Sequence, residues 1–352
     1  MFGYCNLFVS CILIIICMDK NEKKILTVLG AGNMGTAVAF VLAENGYEVR
    51  IWNWEGDHEP LRQIEKYHEN KKYLKGIKLP KNIVPKFKIA EALEGSEIVF
   101  LVIPSGVLEH TISFAARSIA HDAIIVDVSK GIEPHSLRLM PHIICKHIRP
   151  KLRKNVVTIS GPVIASQMAR RQFTAMNIAS KNKKAMNKVR SAMENNYVKL
   201  VPTTDVIGVE IGGSFKNAYT IATGMCDGMK YGLNTKAALL TYALREISDL
   251  IQAMGGRRRT AYELAGVGDL IVTSFAHESR NRTFGEYLGK GYTGDKAREM
   301  VKQTVEGVDA IHCLMRLVRK YHVHAPFAHV IYHCVTSKHD PRRAFLAMLQ
   351  TL

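Results

Sequence analysis

The run Ile25-Leu26-Thr27-Val28-Leu29 ends directly in Gly30-Ala31-Gly32-Asn33-Met34-Gly35, and a helix-like segment follows over 37–44 until Asn45-Gly46 stops it. No other feature narrows the fold as much. Gly30 suits a tight turn, and Gly32 lets the backbone approach a pyrophosphate. Gly35 lets the helix pack on the strand with its N-terminus facing the anion. A GxGxxG alone is weak; set between a strand and a helix, it predicts dinucleotide binding.

The usual companion of these glycines is missing. An NAD-selective site calls for an acid at the end of the second strand, about 20 residues further on. The chain has Ile51-Trp52-Asn53-Trp54 there, with Glu55 and Asp57 as the nearest acids, and Arg50 lies within the strand. NAD and NADP both stay open. Trp54 stands where it can stack on an adenine, the alternative being a partly buried aromatic.

Further apolar runs of strand length lie at 48–52, 98–103, 123–128, 156–159 and 176–179. Strands buried on both faces read this way, and their spacing leaves room for crossover helices. The prediction is an α/β fold with an N-terminal doubly wound, mostly parallel Rossmann-type sheet. Beyond Pro202 the texture changes. Segments 206–229, 235–254, 295–321 and 327–337 carry helical apolar spacing, and no further strand of comparable quality follows. Glycines 212, 213, 224, 228 and 232 interrupt the first of these, where they allow close packing of helices or of backbone on a ligand. We therefore expect a dinucleotide-binding domain over 18–204 and an all-helical substrate domain over 205–352.

A chain of 352 residues has room for two such domains. Lysine and arginine outnumber aspartate and glutamate by 48 to 31, which predicts affinity for anions without choosing among phosphates, nucleic acid and membrane. Most of that excess reads as solvated surface, as does Arg257-Arg258-Arg259. No nucleic-acid module or aromatic-basic interleaving is present. The seven cysteines are odd in number and form no CxxC, which disfavours zinc or a disulfide framework and suits a reducing cytoplasm. No acid completes an HExxH around His329 and His333, so we read these, with His322 and His324, as surface histidines and expect no metal. Residues 7–18 are almost wholly apolar, too short to span a membrane and without the flanks of a signal peptide. We expect translation to begin at Met18 and residues 1–17 to be a mis-assigned start, with a segment lying at a membrane interface as the alternative. Stable membrane insertion is not expected.

Several segments carry a resemblance. They are Tyr73-Leu74 with Gly76-Ile77 and Leu79-Pro80, Val102-Ile103-Pro104-Ser105, Ser129-Lys130-Gly131-Ile132-Glu133 and Ser160-Gly161-Pro162. Gly208-Val209-Glu210 with Gly212-Gly213 and Lys216-Asn217 follows. Then come Gly266-Val267-Gly268-Asp269-Leu270 with Thr273, Ser279-Arg280-Asn281, and Val305-Glu306-Gly307. In this order, from about Ile25 to the carboxy end, they resemble the NAD(P)-dependent glycerol-3-phosphate dehydrogenases of bacterial type. The resemblance implies interconversion of sn-glycerol 3-phosphate and dihydroxyacetone phosphate with NAD or NADP, feeding glycerophospholipid synthesis, in a cytoplasmic homodimer.

The resemblance also implies roles. Hydride transfer at a secondary alcohol needs a group to take and return the hydroxyl proton. Lys216 matches the catalytic lysine, which must lose basicity through burial or a neighbouring cation such as Lys130. Asp269 matches its acidic partner; read without the resemblance, it is a helix N-cap. Thr273, one turn on, would donate to the substrate. Ser279, Arg280 and Asn281 match a phosphate grip, an arginine offering a planar fork of donors. Lys130, Gly161 and Asn217 complete the substrate set. The implied cofactor set is Gly30, Gly32, Asn33, Met34, Gly35, Trp54, Lys130, Ala165, Arg280 and Glu306.

The chain departs from the pattern after Ser160-Gly161-Pro162. Val163-Ile164-Ala165-Ser166-Gln167 stands where the family carries a hydroxyl and a carboxylate, which bears on nicotinamide positioning. Asn33-Met34 in place of serine and an aromatic is a milder change. The competing readings are a related dehydrogenase for another anionic hydroxy compound, a catalytically weak nucleotide-binding regulator, and a nucleic-acid protein.

Overall fold

The computed structural model describes residues 24–276 and 278–350, so the apolar leader lies outside the described residues. The first part alternates strands and helices: β1 Ile25–Leu29, α1 Asn33–Glu44, β2 Glu48–Trp52, α2 Glu59–Tyr67, β3 Ile83–Lys86, α3 Ile89–Leu93, β4 Ile98–Leu101 and α4 Ser105–Ala115. It continues with β5 Ile124–Asp127, α5 Met140–His147, β6 Val156–Ser160, α6 Ala165–Ala169, β7 Thr174–Ala179, α7 Lys183–Met193 and β8 Val198–Thr203. Helices follow: α8 Val206–Gly228, α9 Leu233–Ala253, α10 Asp269–Phe275 and α11 Arg280–Gly289. The last four are α12 Gly294–Val301, α13 Glu306–Lys320, α14 Pro326–Thr336 and α15 Arg342–Leu349.

The eight strands form one sheet in the order β3-β2-β1-β4-β5-β6-β7-β8. Pairs from β3 to β6 are parallel, β6 and β7 are antiparallel, and β7 and β8 are parallel again. The order reverses between β1 and β4, the switch point at which open sheets of this kind bind ligands beyond the carboxyl ends of the strands. Leu26, Val28 and Leu29 of β1 and all of β4 are buried, which explains their unbroken apolar runs. Each such side chain contributes about 1.5–3 kcal/mol relative to exposure.

The doubly wound, mostly parallel sheet and the helical second part are as the sequence predicts. Two strands escaped the sequence reading, β3 and β8. They are the two edges of the sheet, each contains a proline, and neither is buried on both faces. The helix expected over 295–321 is two helices, because Lys302 closes α12 in a left-handed conformation.

Helix α8 is the axis of the second part. Phe215, Tyr219 and Met225 are fully buried, as are most of its other residues. Its glycines show why they are there. A Cβ at Gly224 or Gly228 would strike the Arg282 or Glu286 carbonyl of α11, and one at Gly285 or Gly289 of α11 would strike Ile221 or Met225. Gly232 meets nothing and does not share this role. The close α8–α11 pairing fixes the start of α11 relative to Lys216. Glu246 of α9 accepts hydrogen bonds from Tyr219 Oη at 2.8 Å and from the Phe327 and Ala328 N–H groups, which joins α9, α8 and the N-terminus of α14.

Candidate active site

The glycine loop sits at the carboxyl end of β1. The Gly30 N–H donates to the Trp52 carbonyl at 2.8 Å, and Gly30 has φ of 112°, a conformation that favours glycine. A Cβ at Gly35 would fall on the Gly30 carbonyl, whereas one at Gly32 would meet nothing, so the backbone at Gly32 is open to a ligand. Gly32 is the N-cap of α1 and no side chain caps it, so the first N–H groups of that helix remain free donors for an anion. Asn33 is exposed and Met34 half-buried against the sheet core.

The place of the missing acid is filled by an amide. Asn53 Oδ1 accepts from the Ala31 N–H at 3.1 Å, and its Nδ2 donates to the Asp57 carbonyl at 2.7 Å. Asn70 donates to the Ala31 carbonyl and to Thr36 Oγ1, both at 2.8 Å. These two buried asparagines hold the loop, and neither was singled out from sequence for this purpose. Arg50 is engaged by the Glu91 and Glu94 carbonyls, and the Asp57 carboxylate by Lys72 and Tyr73. Trp54 is 62% exposed and folds over Gly56, which leaves an outer ring face for stacking.

A second cluster lies at the same edge of the sheet. Lys130 follows β5, Lys216 points from α8, and both reach Asp269 at the start of α10. Lys130 Nζ stands 2.6 Å from Asp269 Oδ2 and 3.3 Å from the Gly161 carbonyl, and Lys216 Nζ donates to Asp269 Oδ1. Asp269 is fully buried and Lys216 is 7% exposed. Burial pulls the Lys216 ammonium down from its ordinary value; the Asp269 carboxylate opposes this and Lys130 reinforces it, leaving the lysine at about 7. That suits a group that must both accept and donate a proton at neutral pH.

Asp269 is not the N-cap; Gly268 is, and the carboxylate is committed to the two lysines. A π-turn over Leu264–Gly268 delivers it. Asn177 of β7 secures that turn by accepting from the Ala265 N–H at 2.8 Å and donating to Glu263 at 3.1 Å. Thr273 lies one turn on, as the spacing predicts, but its hydroxyl donates to the Asp269 carbonyl at 2.8 Å, so its proton is spent within the helix.

Ser279 caps α11, accepting from the Arg282 N–H at 3.3 Å, so Arg280 stands at a helix N-terminus. The Arg280 guanidinium is 3.6 Å from the Glu306 carboxylate, which also accepts from Asn217 Nδ2 at 3.2 Å. Asn281 Oδ1 accepts from the Gly307 N–H at 2.8 Å, so its carbonyl is a strut and its amide NH₂ remains for a ligand. Lys130, Ser214, Asn217 and Glu306 line one cleft, together with Ser105 and Cys313. The Ser214 hydroxyl has no partner among the described residues and belongs to a cleft residue that sequence reasoning missed. Ala165 opens α6, which packs on α1 beside the loop.

Residues 25–186 match the family model of the NAD-dependent glycerol-3-phosphate dehydrogenase N-terminus, and residues 205–346 match that of its C-terminus. The chain belongs to the NAD-dependent glycerol-3-phosphate dehydrogenase family. It is 38% identical over 309 residues to a glycerol-3-phosphate dehydrogenase [NAD(P)+] of Bacillus velezensis, covering 88% of this chain and 89% of that one. A Bacillus pumilus protein of the same name is 39% identical over 310 residues, with 88% and 89% covered. A crystal structure of glycerol-3-phosphate dehydrogenase from Coxiella burnetii superposes with a TM-score of 0.86 at 31% identity, covering 93% of this chain and 99% of that one.

For a dehydrogenase of this family the open backbone at Gly32 and the uncapped start of α1 fit a dinucleotide pyrophosphate. Among the described residues no three histidine, cysteine, aspartate or glutamate side chains gather as a metal site. No described helix is long and apolar enough to cross a membrane.

Proposed function

We propose that this dehydrogenase interconverts sn-glycerol 3-phosphate and dihydroxyacetone phosphate, with Lys216 as the acid–base group. A nicotinamide cofactor supplies the hydride acceptor and donor when bound, held by Gly30, Gly32, Asn33, Met34 and Gly35, with Trp54, Ala165, Lys130, Arg280 and Glu306 around it. The observation that carries the reading is the buried Asp269 carboxylate gripped by Lys130 and Lys216 at the carboxyl edge of the sheet. In oxidation Lys216 Nζ takes the hydroxyl proton, and in reduction it returns one to the forming alkoxide. Asp269 orients that amine, and the Lys130 charge stabilises the alkoxide.

Arg280, at the N-terminus of α11, grips the phosphate with Ser279 and the free Asn281 amide, and Asn217, Gly161 and Thr273 complete the pocket wall. Thr273 contributes its oxygen rather than its proton. The division into a cofactor domain up to residue 204 and a substrate domain from 205 belongs to the same proposal, as do a cytoplasmic setting and a homodimer. In support, Cys145, Cys226, Cys313 and Cys334 are free thiols, and α9 and α10 expose Leu233, Ile271 and Phe275. Sedimentation of the purified protein tests the dimer.

The test of the activity is direct. Oxidation of NADH and of NADPH is followed by absorbance with dihydroxyacetone phosphate as substrate. Turnover with either is expected, and its absence with both sinks the proposal.

A further inference from the structure

Two more carboxyl groups are buried beneath the lysine cluster, and nothing in the proposed chemistry uses them. Asp127 ends β5 and is fully buried; Glu210 lies on α8 with 4% exposure. Thr158 of β6, paired in register with Asp127, donates its hydroxyl to Glu210 Oε1. The Ser129 N–H donates to Asp127 Oδ1 at 3.0 Å. Among the described residues the second oxygen of each carboxyl, Asp127 Oδ2 and Glu210 Oε2, has no protein partner, and neither has the buried Ser160 hydroxyl two residues beyond Thr158. Gly213, one turn after Glu210, makes room for that serine, since a Cβ there would fall on Ser160 Oγ.

The neighbouring elements bring few charges here. Lys130, Asp269 and Lys216 are occupied with one another. Glu263 is held by Asn177 of β7, and Asp205, the N-cap of α8, by the Thr260 hydroxyl and the Arg257 N–H. Among the described residues no lysine, arginine or histidine pairs with Asp127 or Glu210. A buried carboxylate without a cation takes up a proton rather than stay charged. Three unpartnered polar oxygens on elements packed against one another, β5 on β6 and β6 on α8, match in number the partners that an internal water takes.

We propose that Glu210 is held as the neutral carboxylic acid and, with Asp127 and Ser160, encloses one buried water, pinning α8 to the sheet with no charge on Glu210 beneath Lys216. Glu210 is thus a positioning residue for the lysine. Burial and then the nearby Asp127 push the Glu210 carboxyl well above its ordinary value, and burial pushes Asp127 up to about 7. The link to Lys216 rests on the acid–base reading of that lysine; the protonation of Glu210 does not.

A carboxyl whose proton affinity is raised by folding costs stability as pH climbs from the ordinary carboxylate range, because the unfolded chain ionises first. Glu210→Gln is nearly isosteric, always neutral, and keeps a partner for Thr158. Its Tm advantage over the unaltered chain is therefore expected to grow steadily above pH 5, and a difference flat with pH overturns the proposal. Infrared spectra of the unaltered chain at pH 8.5, where Asp127 at about 7 is almost wholly ionised, should show a protonated-carboxyl band that Glu210→Gln lacks and Asp127→Asn retains. Absence of the band, or its loss in Asp127→Asn alone, overturns the assignment, and the spectrum of the unaltered chain stands even if a variant fails to fold. A Tm raised by sodium, potassium or magnesium ions in the unaltered chain but not in Glu210→Gln would put a cation in place of the proton and overturn it too.

The kinetic test separates a neutral Glu210 from a charged one. Glu210 and Lys216 are six residues apart on one helix, about 9 Å along its axis. Were Glu210 ionised, its replacement by glutamine would lower the Lys216 limb of the kcat/KM profile by about one pH unit. The expected result is no such shift, with kcat retained within about threefold, as befits a neutral donor exchanged for another. A shift of that size would mean a charged Glu210. If the enzyme proves inactive on dihydroxyacetone phosphate, the infrared and melting tests still decide the protonation.

Discussion

The glycine loop after β1 and the lysine cluster at α8 lie along the same edge of the sheet, yet one is secured by neutral groups and the other by full charges. Asn53, Asn70 and the Trp52 carbonyl hold the loop. Asp269 between Lys130 and Lys216 holds the cluster. The difference follows from what each does. A pyrophosphate brings its own charge, so its cradle needs only N–H donors fixed in place, and a carboxylate among them would repel the ligand. A proton-transfer site needs a group that titrates near working pH, and only burial against neighbouring charges makes a lysine do so. Damage to the two regions should therefore differ in kind: turnover and pH dependence on the charged side, cofactor affinity on the neutral side.

The largest effect is expected from Lys216→Met. Methionine fills the buried channel but carries no proton, and Lys130 still neutralises Asp269. Turnover should fall by about 10²-fold or more, the scale of losing a general acid. Cofactor affinity, measured by quenching of tryptophan fluorescence, should be nearly unchanged. Turnover within threefold of the unaltered chain would remove the lysine from the chemistry and erase the contrast.

Arg280→Ala comes next. Arg280 is half-exposed beside Glu306, so its loss should leave the fold intact. A charge-assisted grip is worth about 1.5–3 kcal/mol, or roughly 10- to 150-fold in kcat/KM for dihydroxyacetone phosphate. Dihydroxyacetone, lacking the phosphate, should be almost unaffected when both are compared at saturating cofactor. An equal loss for both would assign Arg280 to the neutral side, as a cofactor residue.

Asp269→Asn sharpens the comparison through pH. The amide keeps a hydrogen bond but withdraws the negative charge that holds the Lys216 proton, so the lysine should titrate below its present value of about 7. The kcat/KM limb for alcohol oxidation then moves to lower pH, by about one unit for a charge at contact distance partly offset by Lys130. Reduction at pH 7.5, which needs the ammonium form, should slow by about tenfold, the same unit read as a rate. Melting should fall as well, since two lysines lose the carboxylate between them. An unmoved limb would mean that Asp269 orients Lys216 without tuning it.

Both regions were partly legible in the sequence. The interior strands announced themselves because both faces are buried, and the edges β3 and β8 did not because a half-exposed strand with a proline has no such run. Lys130, Lys216 and Asp269 stood out by their motifs, but not that residues 139 and 53 positions from Asp269 meet on its one carboxyl group. Asp127 is unremarkable along the chain and Glu210 stands in a motif that attaches no role to it, and only the packing of α8 on β6, the strand paired with β5, makes them neighbours. Asn53 looked like a missing acid. Its value as an amide depends on the Asp57 carbonyl and Ala31 N–H lying on either side, which is a property of the folded loop.

That asparagine gives the smallest and most discriminating effect. Asn53→Ala leaves the Ala31 N–H and the Asp57 carbonyl without their partner in a largely buried place, which costs about 1–3 kcal/mol. Most of that should appear as a lower Tm. The part that loosens the loop should raise the KM for the cofactor by about fivefold, equivalent to about 1 kcal/mol, with kcat unchanged. Asn53→Asp separates the two bonds. Aspartate still accepts from Ala31 but meets the Asp57 carbonyl with a second acceptor, so stability should drop while the loop keeps its anchor. It also places the carboxylate that an NAD-selective loop carries at the end of its second strand. Affinity for NADPH should then fall further than affinity for NADH, because a carboxylate repels a 2′-phosphate and accepts from a 2′-hydroxyl. If Asn53→Asp weakens both cofactors equally, the end of β2 supports the loop without reading the ribose. The neutral side of the edge would then owe its cofactor choice to other residues.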